Sequence, residues 1–305
     1  LEARPSGPND DQEKNMKRLL SVVTLLAAAF AVQAQQLATT IKSTEVVPGI
    51  YMLEGADGFS SNMGLLVGDE HVLLVDDGMA PITASLMETV QELAGRSIDF
   101  VVNTHVHGDH VGSNASLADS GAIVVAHDNL RKRLVEKPGD AGGPAGLPVV
   151  TFADEVTFHV NGQQAHVFHV AAAHTDGDAV IHFRDANVID AGDLHFNYMF
   201  PFIDLDSGGS VSGFIAGQRR IIAMADDETK IIPGHGPLAS KADLQASVDM
   251  LVDARDRVEA LVLEGKSEEE VLAANPLADY HDTWNWGFIT TEKMTQTLYR
   301  SLSSL

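Results

Sequence analysis

Three imidazoles and a carboxylate fall within six residues in the segment Asn103-Thr104-His105-Val106-His107-Gly108-Asp109-His110, directly after an apolar run. On a loop at a strand end, side chains at i and i+2 can converge, which a helix prevents. Neutral imidazole and carboxylate are the ligands expected of zinc where no thiolate is available, and this sequence contains no cysteine. Three more residues of the same types follow: His174 in AAAHTDGD, Asp193 in DAGD and His235 in PGHG. Each ends an apolar strand pattern, where open α/β sheets gather their site residues. His195 follows Asp193 by two and is open to two readings, one facing a substrate and one simply packed. His159, His166, His169 and His182 lie inside strand patterns and read as ordinary strand histidines.

Such side chains need a rigid frame, and the pattern supplies one. GIYMLEG (49–55), MGLLVGD (63–69) and EHVLLVDDG (70–78) read as short strands joined by Gly-Asp turns. A helix is predicted over 81–95, with Pro81 at its start and Gly95 just past its end. Strands at 99–105 and 122–127 alternate with helices at 115–121 and 129–137, and a Gly/Pro-rich loop spans 138–148. A hairpin follows (155–160 and 165–170), then strands at 179–183 and 187–193, a helix at 210–225 and a strand at 229–236. The tail reads as helical over 242–265, 267–275 and 291–302. Strands alternating with helices in two halves predict an α/β domain of two sheets packed between outer helices. No fixed-period repeat and no long linker interrupts 35–305, which reads as a single domain with 240–305 as its helical tail.

The H-x-H-x-D-H segment, followed in order by His174, Asp193 and His235, resembles the metallo-β-lactamase-fold superfamily over roughly residues 45–240. The resemblance implies a four-layer αβ/βα sandwich, here with a C-terminal helical extension, and a dinuclear zinc site, with iron or manganese second to zinc. One metal would take His105, His107 and His174, the other Asp109, His110 and His235, and Asp193 would bridge them. Asp76 in VDDG (75–78) is similar to the family's strand-end aspartate and would support the ligands from behind. Phe59 in GADGFSSNMG falls on the loop that flanks the family's cleft. For Phe59, Trp284 and Trp286, core packing is the simpler reading and a pocket wall the alternative. Phe200-Pro201-Phe202 reads either as a mobile cover or as a packed loop.

The implied reaction is hydrolysis of a carboxylic-acid derivative by a hydroxide held between the metals, its parent water having a pKa lowered to roughly 7. Asp109 would orient that hydroxide as well as bind metal. Within the resemblance, β-lactamases carry Cys or Ser where this chain has Asp193, whereas Asp is typical of glyoxalase-II-like thioesterases and lactonases. A β-lactam, lactone, ester or thioester is therefore the expected substrate, with β-lactamase activity weak. The alternatives are a thioesterase or lactonase without any β-lactamase activity, and a non-catalytic zinc-binding periplasmic module. The tail, with GKSEEEVLAANPLADY, resembles exported members associated with sulfur-oxidation clusters and quinoprotein relays.

Composition narrows the partners. The 305 residues hold 20 Lys+Arg against 43 Asp+Glu, a net charge of −23. Binding to a phosphate backbone needs a basic face that releases counterions, so nucleic acid is disfavoured and a small-molecule substrate is expected. Hydrophobic residues make up 45% and mean hydropathy is +0.01, enough for a full core. Met16-Lys17-Arg18 followed by LLSVVTLLAAAFAV (19–32) has the order of a secretory signal, with Val32 and Ala34 at the −3 and −1 positions of a cut before Gln35. The apolar run of 14 residues falls short of the ~20 that span a bilayer. Residues 1–15 are a polar upstream segment and 16–34 the expected signal peptide. The mature chain is expected in the periplasm or secreted, with no membrane association after cleavage.

Overall fold

The computed structural model describes residues 40–55 and 60–303. The expected signal segment and Phe59 lie outside the described residues. Strands β1 (Ile41–Val47), β2 (Ile50–Gly55), β3 (Met63–Val67) and β4 (Val72–Val75) lead into helix α1 (Thr83–Ala94). Then come β5 (Phe100–Val102), α2 (Gly108–Val111), α3 (Asn114–Asp119), β6 (Ile123–His127), α4 (Asp128–Glu136) and β7 (Val150–Phe152). These seven strands form one sheet in sequence order, antiparallel from β1 to β4 and parallel from β4 to β7. The second half runs β8 (Glu155–Val160), β9 (Gln163–Val170), β10 (Asp178–Phe183), β11 (Val188–Phe196), α5 (Val211–Met224), β12 (Lys230–His235) and β13 (Ala239–Ser240). Its six strands pair in the order β13-β12-β11-β10-β9-β8. The tail adds α6 (Lys241–Leu263), α7 (Glu268–Ala274), α8 (His281–Trp284) and α9 (Thr291–Ser303).

The central strands have no polar face because each serves two cores. In β4, Leu73 and Val75 enter the core between the sheets, where they meet Val167, Ile181 and Val188. Val72 and Leu74 point the other way, onto Leu86 and Val90 of α1 and Leu117 of α3. Side chains alternate faces with period two, so a continuous apolar run is what a strand covered on both sides requires. The second sheet repeats this arrangement: Ile181 faces the first sheet, while Val180 and Ile189 pack with Ile221 of α5 and Leu244 of α6. The result is the expected layering of helix, sheet, sheet and helix, with the tail helices building a further core around Phe214, Leu251, Met294 and Leu298.

Local chemistry sets the boundaries. Asn161 and Gly162 both take positive φ (54° and 70°) at the β8–β9 turn, the backbone that a two-residue hairpin of native twist demands. Ser240 and Ser267 cap α6 and α7 with reciprocal bonds to Asp243 and Glu270. The short strands β7 and β13 and the one-turn helix α2 have too few residues to show a period, and the seven residues of β1 show no regular alternation of buried and exposed positions. Among the described residues, no helix is long and apolar enough to cross a membrane. Truncating Leu73, which is fully buried between the sheets, should leave a cavity. Leu73→Ala is expected to cost about 2–5 kcal/mol in chemical denaturation.

Candidate metal centre

The strand ends on one side of the two sheets bring the seven expected ligands together. His105 and His107 lie on the loop after β5, but Asp109 and His110 sit on α2 rather than on that loop. One helical turn suffices because these two are adjacent and face different neighbours. His174 lies in the turn between β9 and β10, Asp193 on β11, and His235 ends β12. Ligand atoms of His105, His107, His174 and Asp193 form one group within 4.8 Å, and those of Asp109, His110 and His235 a second.

Asp193 stands between the groups. Its Oδ2 lies 3.6 Å from His105 Nε2 and 3.4 Å from His174 Nε2. Its Oδ1 lies 3.2 Å from His110 Nε2 and 3.4 Å from His235 Nε2. Asp109 Oδ2 is 3.3 Å from His235 Nε2. Two features of backbone make room for this carboxylate. The register of β11 against β12 shifts at Gly192, and a Cβ at Gly234 would fall on Asp193 Oδ1.

The donor set fits a divalent metal. His107 Nδ1 faces His105 Nε2 at 3.1 Å and His174 Nε2 at 2.9 Å, a triangle that shared protons cannot satisfy all round. A tetrahedral ion bound at 2.0–2.1 Å would place such nitrogens about 3.3 Å apart. His110 Nε2 and Asp193 Oδ1 are buried yet make no hydrogen bond, as atoms reserved for another partner would be.

The outer ring nitrogens are held by other residues, which fixes their orientation. His110 Nδ1 donates to Asp76 Oδ2 at 2.7 Å. Asp76 also accepts from the Thr104 amide and hydroxyl, both at 2.7 Å, and adopts φ 60° to do so, a backbone region that a non-glycine residue enters only when its surroundings enforce it. His107 Nε2 donates to Asp204 Oδ2 at 3.0 Å, and His174 Nδ1 to the Phe202 carbonyl at 2.8 Å. The expected supporting role of Asp76 has a direct geometric counterpart. Asp204 was not readable from the sequence, since nothing in FPFIDLD sets one aspartate apart.

Burial holds the His105 imidazole well below its ordinary range and takes His174 down to about 4, keeping both neutral. The second group behaves oppositely. Burial works against charge at His235, yet Asp193 and Asp109 outweigh it and lift the imidazole to about 9. Burial likewise opposes the Asp193 carboxylate, but His110, His235 and His105 hold it well below the usual carboxylate range. Without a metal the second group therefore carries protons that a bound cation would displace.

A cleft of about 460 Å³ opens over both groups, walled by Phe196, Phe202, Trp286 and Phe288. Trp286 lines this cleft, whereas Trp284 is buried in the tail core. Phe200 is fully buried and Phe202 is a wall residue. His195 is fully buried with neither ring nitrogen bonded, and it joins neither ligand group.

Comparison with known proteins agrees with this geometry. The family model for the metallo-beta-lactamase superfamily matches residues 56–248. The chain is 28% identical to a hydroxyacylglutathione hydrolase of Methylococcus capsulatus over 231 residues, 68% of this chain and 82% of that protein. Matches to two further hydroxyacylglutathione hydrolases cover about half the length of each. It is 35% identical to a probable metallo-hydrolase of Methanocaldococcus jannaschii over 201 residues, 60% of this chain and 91% of that one. Its fold superposes on a metallo-beta-lactamase from Pontibacter korlensis with TM-score 0.61 at 19% identity, covering 70% of this chain and 100% of the other. The chain belongs to the metallo-β-lactamase superfamily and is a metal-dependent hydrolase.

Gly234→Ala is expected to push Asp193 out of place and weaken zinc binding about tenfold or more. A competition titration against a chromophoric chelator checks this, with circular dichroism confirming the fold.

Proposed function

We propose that the chain is an exported dinuclear-zinc hydrolase that cleaves an ester, lactone or thioester, with β-lactam opening a weak side activity. The observation that carries this reading is the placement of Asp193, each of whose oxygens faces one of two complete ligand groups. His105, His107 and His174 would hold one zinc, Asp109, His110 and His235 the other, and Asp193 would bridge them. Two bound zinc ions supply Lewis-acid polarisation of an acyl oxygen and make water acidic enough to react near neutral pH.

The protein's own residues do the rest. Asp193 fixes the separation of the two groups from β11, a strand paired on both sides, with β10 and with β12. Asp109, on the cleft floor beside His235, is placed to accept a proton from an attacking water and so to orient it. Phe202 and Trp286 exclude bulk solvent from the reacting carbonyl. The likeness to hydroxyacylglutathione hydrolases supports acyl transfer to water, and a thioester is within the expected class.

With two metals bound, the Asp193 carboxylate would add negative charge between them and would take up a position otherwise open to a substrate atom. A β-lactam's departing nitrogen gains negative charge and needs an open second metal, whereas an ester or thioester depends less on that contact. Asp193→Ser is therefore expected to lower kcat/KM for ester-type substrates while sparing or raising β-lactam hydrolysis. Metal content is measured alongside, and zinc-loaded wild type should hold about two ions per chain. Elemental analysis giving one ion or none overturns the dinuclear assignment. Efficient wild-type penicillin turnover that is lost in Asp193→Ser at full zinc content overturns the substrate argument.

Export rests on the signal-like order of residues 16–34. Expressed in a Gram-negative host with its own N-terminus, the chain should be cut after Ala34. Intact-mass measurement of a product that retains residues 19–32 would overturn this.

A further inference from the structure

Resting on the hydrolase reading, we infer that the substrate carries an uncharged, apolar acyl chain, seated against an aromatic arc formed by Phe202, Phe288 and Trp286. The arc runs from one ligand group to the other through rings in contact. Phe202 lies 5.4 Å from His107, Phe288 lies 5.3 Å from Phe202, and Trp286 lies 5.6 Å from Phe288. Trp286 then reaches His235 at 6.2 Å. Any acyl group presented to both ligand groups lies beside this wall.

The wall offers carbon and almost no hydrogen bonding. The Trp286 indole N–H is already spent on the Phe200 carbonyl at 2.9 Å, so only its ring face remains for a ligand. Phe288 is 49% exposed at the mouth of the cleft, a large apolar side chain that water solvates poorly and an alkyl chain would cover. Apart from four of the expected ligands, His107, Asp109, Asp193 and His235, the cleft is lined by these three rings, Phe196, Met79 and Gly108, with no lysine or arginine among the described residues. Lys293 lies 4.9 Å from the Phe288 ring centroid and donates to the Phe288 carbonyl at 2.9 Å; it is exposed and is not part of the cleft lining. Inside the cleft, a substrate tail ending in a carboxylate would lose hydration and meet no cationic side chain of the lining, in a protein whose net charge of −23 already repels anions.

The test pairs a binding readout with turnover. Tryptophan fluorescence of the zinc-loaded protein is titrated with 2-octanone and with 7-oxooctanoate, which differ only in a terminal methyl against a carboxylate. Binding of the ketone should be tighter by on the order of tenfold or more, and Trp286→Phe should remove most of the fluorescence change. In parallel, kcat/KM is measured for p-nitrophenyl butanoate, hexanoate and octanoate and for mono-p-nitrophenyl suberate. It should rise about two- to fourfold per methylene and fall for the suberate relative to the octanoate. Phe288→Ala, at a half-exposed position that does not threaten folding, should flatten the chain-length series. Equal or tighter binding of 7-oxooctanoate, or an equally steep series in Phe288→Ala, overturns the inference. Ketone preference without any chelator-sensitive ester hydrolysis leaves the apolar seat standing and overturns the hydrolase reading instead.

Discussion

A fully buried carboxylate surrounded by four imidazoles is the constraint on which this molecule is organised. Burying a lone Asp193 would be prohibitive, because an unpaired charge away from water loses its hydration without return. The cost is offset only if His105, His174, His110 and His235 all reach it, and they arise from three separate places in the chain across two sheets: the β5–β6 connection, the β9–β10 turn and the end of β12. Each sheet therefore has to present its strand ends at the same height. The parallel register of β4, β5 and β6 and that of β11 with β12 do this, while Gly234 leaves the space in which one oxygen of Asp193 sits.

The supporting residues show how the halves of the chain are locked around that point. Ser61 donates to the Asp109 carbonyl at 2.6 Å, and the Asn62 side chain donates to the carbonyls of Pro233 and Gly236, both at 2.8 Å. One short segment after β2 thus ties α2 to the end of β12. Asp76, strained at positive φ, ties β4 to Thr104 and His110. The cost of that strain, of order 1–3 kcal/mol, is borne because three hydrogen bonds over-determine the conformation. The ligand set is held by a bonded cage, so its geometry is largely present before any metal arrives.

Much of this was legible in the residues themselves. The apolar runs of β4 and β11 announce strands buried on both faces, and Asn161-Gly162 announces a hairpin. His105, His107, Asp109 and His110 stand out because four metal-binding side chains in six residues have no structural purpose. His174, Asp193 and His235 become legible through their positions at strand ends. Asp204 was not, because its role depends on a loop folding back onto His107, and no local pattern encodes that return. Trp286 and Trp284 look alike in the sequence, yet one lines the cleft and the other fills the tail core. Trp284 is the last residue of α8, whereas Trp286 lies beyond the helix end, where its amide donates to the Ile289 carbonyl at 3.3 Å. Edge strands such as β7 and β13 escaped notice because three or two residues cannot display a period.

Half of the aromatic wall, Trp286 and Phe288, belongs to a different stretch of chain from the candidate metal ligands and from Phe196 and Phe202. All seven ligands fall inside the segment that matches the superfamily, residues 56–248, whereas Trp286 and Phe288 come from the tail beyond it. The reactive residues and the mouth of the cleft thus lie largely on separate pieces of the chain. Drift in the tail can alter the enzyme's diet while leaving its reactive machinery untouched. Descendants of a common ancestor can keep every histidine and still come to live on unrelated compounds.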